Sequence, residues 1–221
     1  MSKAELINIQ VERTANIRKL GDFGPHIKHV IISCHGYGQL GEYYIRKFNS
    51  IQRDDILVIC PEALNKFYLE GFNGRVGSNW MTSDRREVDI EDNRKYLNQV
   101  LVWIKSKLTQ SYSIHLLGFS QGAQTLSRWA ITENLQIDSL TLWGGRQAKD
   151  MTWDELKLWS LSNKVHIRMG TEDPFYSTKK VEDWLAEWNE HDVRYNFEYY
   201  EGNHSLVSHA MKDYLKNIID K

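Results

Sequence analysis

Short apolar runs alternate along this chain with segments whose apolar residues recur at three- and four-residue spacing. Five runs predict β-strands, at 28–34, 56–60, 113–117, 139–143 and 165–169. The first two are almost continuously apolar, as expected of parallel strands that are covered on both faces. This alternation of strand and helix patterns predicts an α/β fold with a mostly parallel central sheet.

Amphipathic stripes predict the helices that flank this sheet. They run through 97–108, 181–188 and 207–218, and 123–131 is also helical in pattern. At the leading edge of the sheet we expect an antiparallel pair formed by 5–12 and 15–20. No repeat, low-complexity tract or Pro/Gly-rich linker divides the 221 residues, so we expect one domain over 1–221.

Charge and composition narrow the classes of function. A formal net charge of −1, with Lys and Arg dispersed, gives no field that would attract nucleic acid. The first residues lack the apolar core of a signal peptide, and no apolar run approaches the ~20 residues of a membrane-spanning helix. Cys34 and Cys60 lie in strand-like runs and are expected to be free and buried. We therefore expect a cytoplasmic location and leave a homo-oligomer open.

The strongest chemical signal is Gly118-Phe119-Ser120-Gln121-Gly122, which directly follows a predicted strand and leads into a predicted helix. A sharp strand-to-helix turn of the type G-x-S-x-G exposes the serine hydroxyl, and its glycines avoid collisions with neighbouring backbone. This context predicts that Ser120 is a nucleophile.

A serine nucleophile needs a base within hydrogen-bond reach. Downstream of the motif, His166 falls in an apolar strand, His191 ends a helix and His209 lies within the last helix. His204 instead lies in a loop between a strand and that helix, from which its imidazole can reach the serine. We predict that His204 is the base.

The carboxylate that orients the base should follow a strand late in the sheet. Gly170-Thr171-Glu172-Asp173-Pro174 fits, and the residue next to the proline is held in the turn. We therefore favour Asp173 over Glu172, and Asp150, in a loop after an earlier strand, is a weaker alternative.

Ester attack creates an oxyanion, which needs preorganised donors. The backbone N–H groups of Gln121 and Tyr37 are expected to supply them, since Tyr37 lies in a glycine-containing loop after an early strand. His35 in that loop is expected to be structural. Phe119, Trp80 and Tyr176 are candidates for the pocket wall. The histidines at 26 and 29 lack a third ligand nearby, so we expect no metal and no cofactor.

These motifs together resemble the α/β-hydrolase superfamily, and within it the carboxylesterase/phospholipase group that includes acyl-protein thioesterases. The resemblance covers roughly 28–215 and rests on HGYG at 35–38, GFSQGA at 118–123, GTEDP at 170–174 and EGNHS at 201–205, with GSNWM at 77–81 beside them. It implies a hydrolase without a large lid that acts on small-molecule esters or thioesters. Departures from the group's pattern are Gln39, Phe175, Tyr176 and Asn203.

The same triad serves other leaving groups, so an acyl-thioesterase or a peptidase is an alternative to a carboxylic ester hydrolase. A non-catalytic binding module on the same fold is a further alternative, which the intact set of Ser120, Asp173 and His204 disfavours.

Overall fold

A seven-stranded sheet forms the centre of the molecule in the computed structural model, which describes residues 4–220. Its strands run in the order β1-β3-β2-β6-β7-β8-β9, and β1 alone of these is antiparallel to its neighbour. The strands are β1 Ile17–Leu20, β2 His29–Cys34, β3 Ile56–Pro61, β6 Ser113–Phe119, β7 Ser139–Trp143, β8 Lys164–Gly170 and β9 Asn196–Tyr200. A separate hairpin consists of β4 Asn65–Tyr68 and β5 Val76–Asn79.

Helices cover both faces of the sheet. They are α1 Gly41–Tyr44, which continues as a 3₁₀ helix over Ile45–Ile51, α2 Arg86–Lys107, α3 Gln121–Thr132, α4 Trp153–Ser160, α5 Thr178–Glu190 and α6 Ser208–Tyr214, which continues as a π-helical turn over Leu215–Ile219. This arrangement is the α/β-hydrolase fold that the sequence predicts. No helix within residues 4–220 has both the length and the apolar character needed to cross a membrane.

Each face of the sheet carries its own apolar layer. Alternate strand residues pack against the stripes of α2, α3 and α5 on one face, and against the 3₁₀ helix and α6 on the other. The predicted strands and stripes therefore fall where the core forms. Cys34 and Cys60 are free and buried, as expected, and burial raises the pKa of both thiols.

The expected antiparallel pair at the leading edge is wrong. Residues 4–16 form no regular element, and the strand at this edge, β1, pairs with β3 instead. Polar contacts to neighbouring segments hold the N-terminal residues, including a 2.6 Å hydrogen bond from Arg85 to Asn8 and one from Arg13 to the carbonyl of Leu64. Their apolar side chains, such as Ile9, stay exposed. A strand in this segment would therefore gain no stabilisation from burial of these side chains.

The carboxyl ends of the parallel strands meet at one edge of the sheet, where loops of α/β folds carry ligand and catalytic groups. The loops that follow β2, β6, β8 and β9 contain the predicted oxyanion loop, nucleophile, acid and base, respectively.

Candidate active site

Ser120 lies in the turn between β6 and α3. Its backbone has φ 53° and ψ −115°, an uncommon conformation for a residue with a side chain. Two hydrogen bonds hold the turn: the Ser120 N–H donates to the carbonyl of Trp143 at 2.9 Å, and the Ala123 N–H donates to the Ser120 carbonyl at 3.0 Å. Strained backbone of this kind persists where surrounding structure enforces it, often at functional sites.

The two glycines of the motif are required by close approach of backbone. A Cβ at Gly118 would lie 2.4 Å from Ala123 Cα, and one at Gly122 would lie 2.1 Å from the carbonyl oxygen of Cys34. Both distances are below any real carbon contact, so the turn can pack against β2 and α3 only with glycine at these positions.

His204 and Asp173 form a short hydrogen bond, with 2.6 Å between His204 Nδ1 and Asp173 Oδ2. Because a carboxylate only accepts, Nδ1 carries the proton and Nε2 is left as an acceptor. The second carboxylate oxygen, Oδ1, accepts from the Phe175 N–H at 2.9 Å. Asp173 is buried, whereas Glu172 beside it is exposed, so the structure brings Asp173 and not Glu172 to the imidazole.

The other candidate bases and acids are held elsewhere. His166 is partly buried in β8, His191 caps the C-terminus of α5, and His209 is exposed on α6. Asp150 accepts two hydrogen bonds from Arg128, at 2.8 and 2.6 Å, and this contact lowers its pKa. A carboxylate committed to a guanidinium in this way is not available to orient a histidine.

Gly144 and Gly145, directly after β7, lie beside His204 and Ser120. A Cβ at Gly144 would lie 3.2 Å from Nδ1 of His204, and one at Gly145 would lie 3.0 Å from Cα of Ser120. The ring of Phe119, next to Ser120 in the chain, has its centroid 4.9 Å from that of His204. Three distant stretches of sequence thus converge at this edge of the sheet.

The loop after β2 passes next to Ser120. A Cβ at Gly36 would lie 3.2 Å from Ser120 Cβ, and Tyr37 is the next residue of this loop. Within the part of the chain that the structure describes, the Tyr37 N–H donates to no acceptor. The Gln121 N–H belongs to the first turn of α3, whose amides have no acceptor inside the helix. Both predicted donors are therefore available to a ligand.

His35 fixes the shape of this loop. Its Nδ1 donates to the carbonyl of Gly36 at 2.7 Å, and its Nε2 accepts from the Ala63 N–H at 3.1 Å. Burial lowers the pKa of His35, so the ring is neutral, as these two hydrogen bonds require. The residue is structural, as the sequence predicts.

The side chain of Gln121 has a role that the sequence did not reveal. Its Oε1 accepts from the Trp80 N–H at 3.0 Å, and its Nε2 donates to the Met81 carbonyl at 2.8 Å. The indole of Trp80 in turn donates to the carbonyl of His35 at 2.9 Å. Trp80, a predicted pocket-wall residue, is 1% exposed and packs against the ring of His35, behind the loop that follows β2.

Two phenylalanines contact the imidazole of His204. Phe119, a predicted pocket-wall residue, is 4% exposed and packs against that ring. Phe175 is 62% exposed and makes an edge contact with His204, with the two ring centroids 4.8 Å apart. The sequence marked Phe175 only as a departure from a family pattern. Tyr176 is partly buried against the larger apolar layer.

Comparison with known proteins finds one matching family and several structures of similar fold. The family model described as Phospholipase/Carboxylesterase matches residues 24–220. Acyl-protein thioesterase 2 from Zea mays is a similar structure, with TM-score 0.70 and 16% identity, covering 94% of this chain and 99% of that one. A structure titled esterase PE8 has TM-score 0.67 and 18% identity, covering 92% and 99%. Phospholipase/carboxylesterase from Dyadobacter fermentans has TM-score 0.63 and 14% identity, covering 96% and 100%. A search of curated proteins finds no significant match.

Proposed function

Because the chain belongs to the phospholipase/carboxylesterase family of α/β-hydrolases, we propose that it is a serine hydrolase that cleaves carboxylic esters through an acyl-enzyme on Ser120. The observation that carries the proposal is the 2.6 Å hydrogen bond between His204 and Asp173, placed at the same sheet edge as the strained turn of Ser120.

The reaction proceeds in two halves. His204 Nε2 takes the proton of the Ser120 hydroxyl as the serine oxygen adds to the ester carbonyl, and the N–H groups of Tyr37 and Gln121 bind the oxyanion. The proton then passes from His204 to the departing alcohol. Water repeats the sequence on the acyl-enzyme and releases the acid. Asp173 holds the imidazole in the required tautomer throughout and stabilises its positive charge.

Exposed aromatic surface beside the triad supports substrates with an apolar acyl or alcohol part of small or medium size. Tyr37 is 60% exposed and packs against Phe67 with the two rings tilted and their centroids 5.2 Å apart, on the side of the oxyanion loop. Phe175 offers a second exposed ring on the side of His204. Apolar groups gain free energy by covering such rings.

A chain-length series of chromogenic esters tests this proposal. We expect hydrolysis by the wild type with a maximum at small or medium acyl length, and loss of hydrolysis in Ser120→Ala. Ser106→Ala is the matched control, because this exposed serine lies in the last turn of α2 and its hydroxyl donates to the Trp103 carbonyl. Hydrolysis that survives in Ser120→Ala would refute the proposal.

An acyl-thioesterase is the second candidate, because the similar maize protein is an acyl-protein thioesterase and the triad does not select the leaving group. A panel of aryl esters, acyl-thioesters and peptide amides with one common acyl group separates the two. A ratio of kcat/KM that favours thioesters at least tenfold would assign the thioesterase.

A further inference from the structure

Arg168 is a buried cation outside the active site. It lies on the same face of β8 as Lys164 and His166, because alternate strand residues share a face, and it is 1% exposed. The guanidinium carbon lies 5.0 Å from the ring centroid of Trp143. Within residues 4–220, none of its three side-chain nitrogens has a hydrogen-bond partner.

Glu198 forms an ion pair with Arg168 but accepts no hydrogen bond from its N–H donors. Glu198 Oε2 lies 3.1 Å from Nη2, yet this contact does not have hydrogen-bond geometry. A guanidinium stays protonated in proteins and has five N–H donors in a fixed plane. Because buried polar groups normally find partners, a buried cation with unfilled donors indicates that an acceptor binds there.

A cavity of about 430 Å³ adjoins Arg168. Its polar lining comes from β8, β9 and the C-terminal turn, and consists of Lys164, His166, Arg168, Asn196, Glu198 and Asn217. The charged groups are two cations and one carboxylate, so the wall carries a net positive charge, which Asp213 on α6 reduces from further away. Such a lining favours an anion that can accept several hydrogen bonds.

We propose that this cavity binds a small oxoanion, with phosphate or a phosphate monoester as the class that fits best. Two phosphate oxygens can accept a parallel pair of N–H bonds from Arg168, while Lys164 and the two asparagines supply further donors. Glu198, whose side chain is 46% exposed, occupies the position of the anion and moves outward when it binds. The site is separate from the proposed ester hydrolysis and does not depend on it.

Thermal unfolding in sodium phosphate, compared with sodium chloride at equal ionic strength, tests the site. A ligand that binds the folded state raises Tm in a saturable manner. We expect this rise in the wild type and its loss in Arg168→Gln. Glu198→Gln should saturate at a lower phosphate concentration, because the competing carboxylate is gone. Lys164→Gln, an exposed change, should need about three- to fivefold more phosphate, as expected for one lost ionic contact.

The matched control is Arg46→Gln, which removes an exposed arginine paired with Glu42 and should respond to phosphate as the wild type does. A parallel series in sodium acetate distinguishes the anion: a response to phosphate alone assigns a phosphate site, and an equal response to acetate assigns a general oxoanion site. If Arg168→Gln does not fold, the Glu198 and Lys164 variants decide. Equal Tm in phosphate and chloride, or no change of saturation in these variants, would overturn the proposal.

Discussion

Replacement of Asp173 by Asn tests the proposed role of this carboxylate in orienting His204. In the wild type, Oδ1 accepts from the Phe175 N–H at 2.9 Å and Oδ2 accepts from His204 Nδ1 at 2.6 Å. Asparagine has one oxygen and one NH₂ group. If its oxygen keeps the Phe175 N–H, its NH₂ group faces Nδ1 and can only donate to it.

The imidazole would then accept at Nδ1 and carry its proton on Nε2, where it cannot take the proton of Ser120. The opposite amide orientation would set the NH₂ group against the Phe175 N–H, which leaves two donors facing each other without an acceptor. Loss of the correct tautomer in a triad lowers kcat about 10⁴-fold, which corresponds to about 5 kcal/mol in the activation free energy.

The assay is steady-state hydrolysis of one chromogenic ester by the wild type, Asp173→Asn and Glu172→Gln. Glu172 is the matched control because it is adjacent but exposed, and its replacement should leave kcat within a few-fold of the wild type. Near-normal activity in Asp173→Asn together with a large loss in Glu172→Gln would refute the assignment of the acid.

Three further predictions follow from the geometry. Ser120→Ala and His204→Ala should each lower turnover about 10⁴- to 10⁶-fold with an unchanged circular dichroism spectrum; a loss below tenfold would contradict the mechanism. Gly122→Ala should lower the free energy of unfolding by about 3 kcal/mol in a urea titration, because its Cβ would collide with the Cys34 carbonyl; an unchanged midpoint would contradict this packing. Burial lowers the pKa of His115 from 6.5 to about 4, so the unfolded chain binds more protons between these values. The stability that neutral His115 contributes should be complete above pH 6.5, and about 3 kcal/mol of it should be lost as the pH falls to 4; an equally steep loss in His115→Gln would refute this.

The sequence predicts those parts of the fold in which local pattern and burial agree. The apolar runs of β2, β3, β6, β7 and β8 and the stripes of α2, α5 and α6 all lie in the core. The sequence pattern does not predict the hairpin of β4 and β5, because each strand has only four residues and the pair lies outside the main sheet. For the segment 5–12 the pattern is misleading, because its apolar residues suggest a strand but stay exposed and form none.

In the candidate site, some positions can be predicted from the sequence and some contacts cannot. The convergence of Ser120, His204 and Asp173 can be predicted because each residue follows the end of a parallel strand, and these strand ends share one edge of the sheet. The side-chain bonds of Gln121 to Trp80 and Met81 depend on how a distant loop packs, for which the sequence contains no local signal. Aromatic type alone also does not distinguish buried Phe119 from exposed Phe175.

The most direct test of the central claim is mass spectrometry of the protein after reaction with a fluorophosphonate probe. The mechanism requires that the hydroxyl of Ser120 be activated by His204, so we predict one adduct per chain, located on the peptide that contains Ser120. We also predict no adduct in Ser120→Ala or His204→Ala. A protein that remains unlabelled, or that carries the adduct on another residue, would contradict the account.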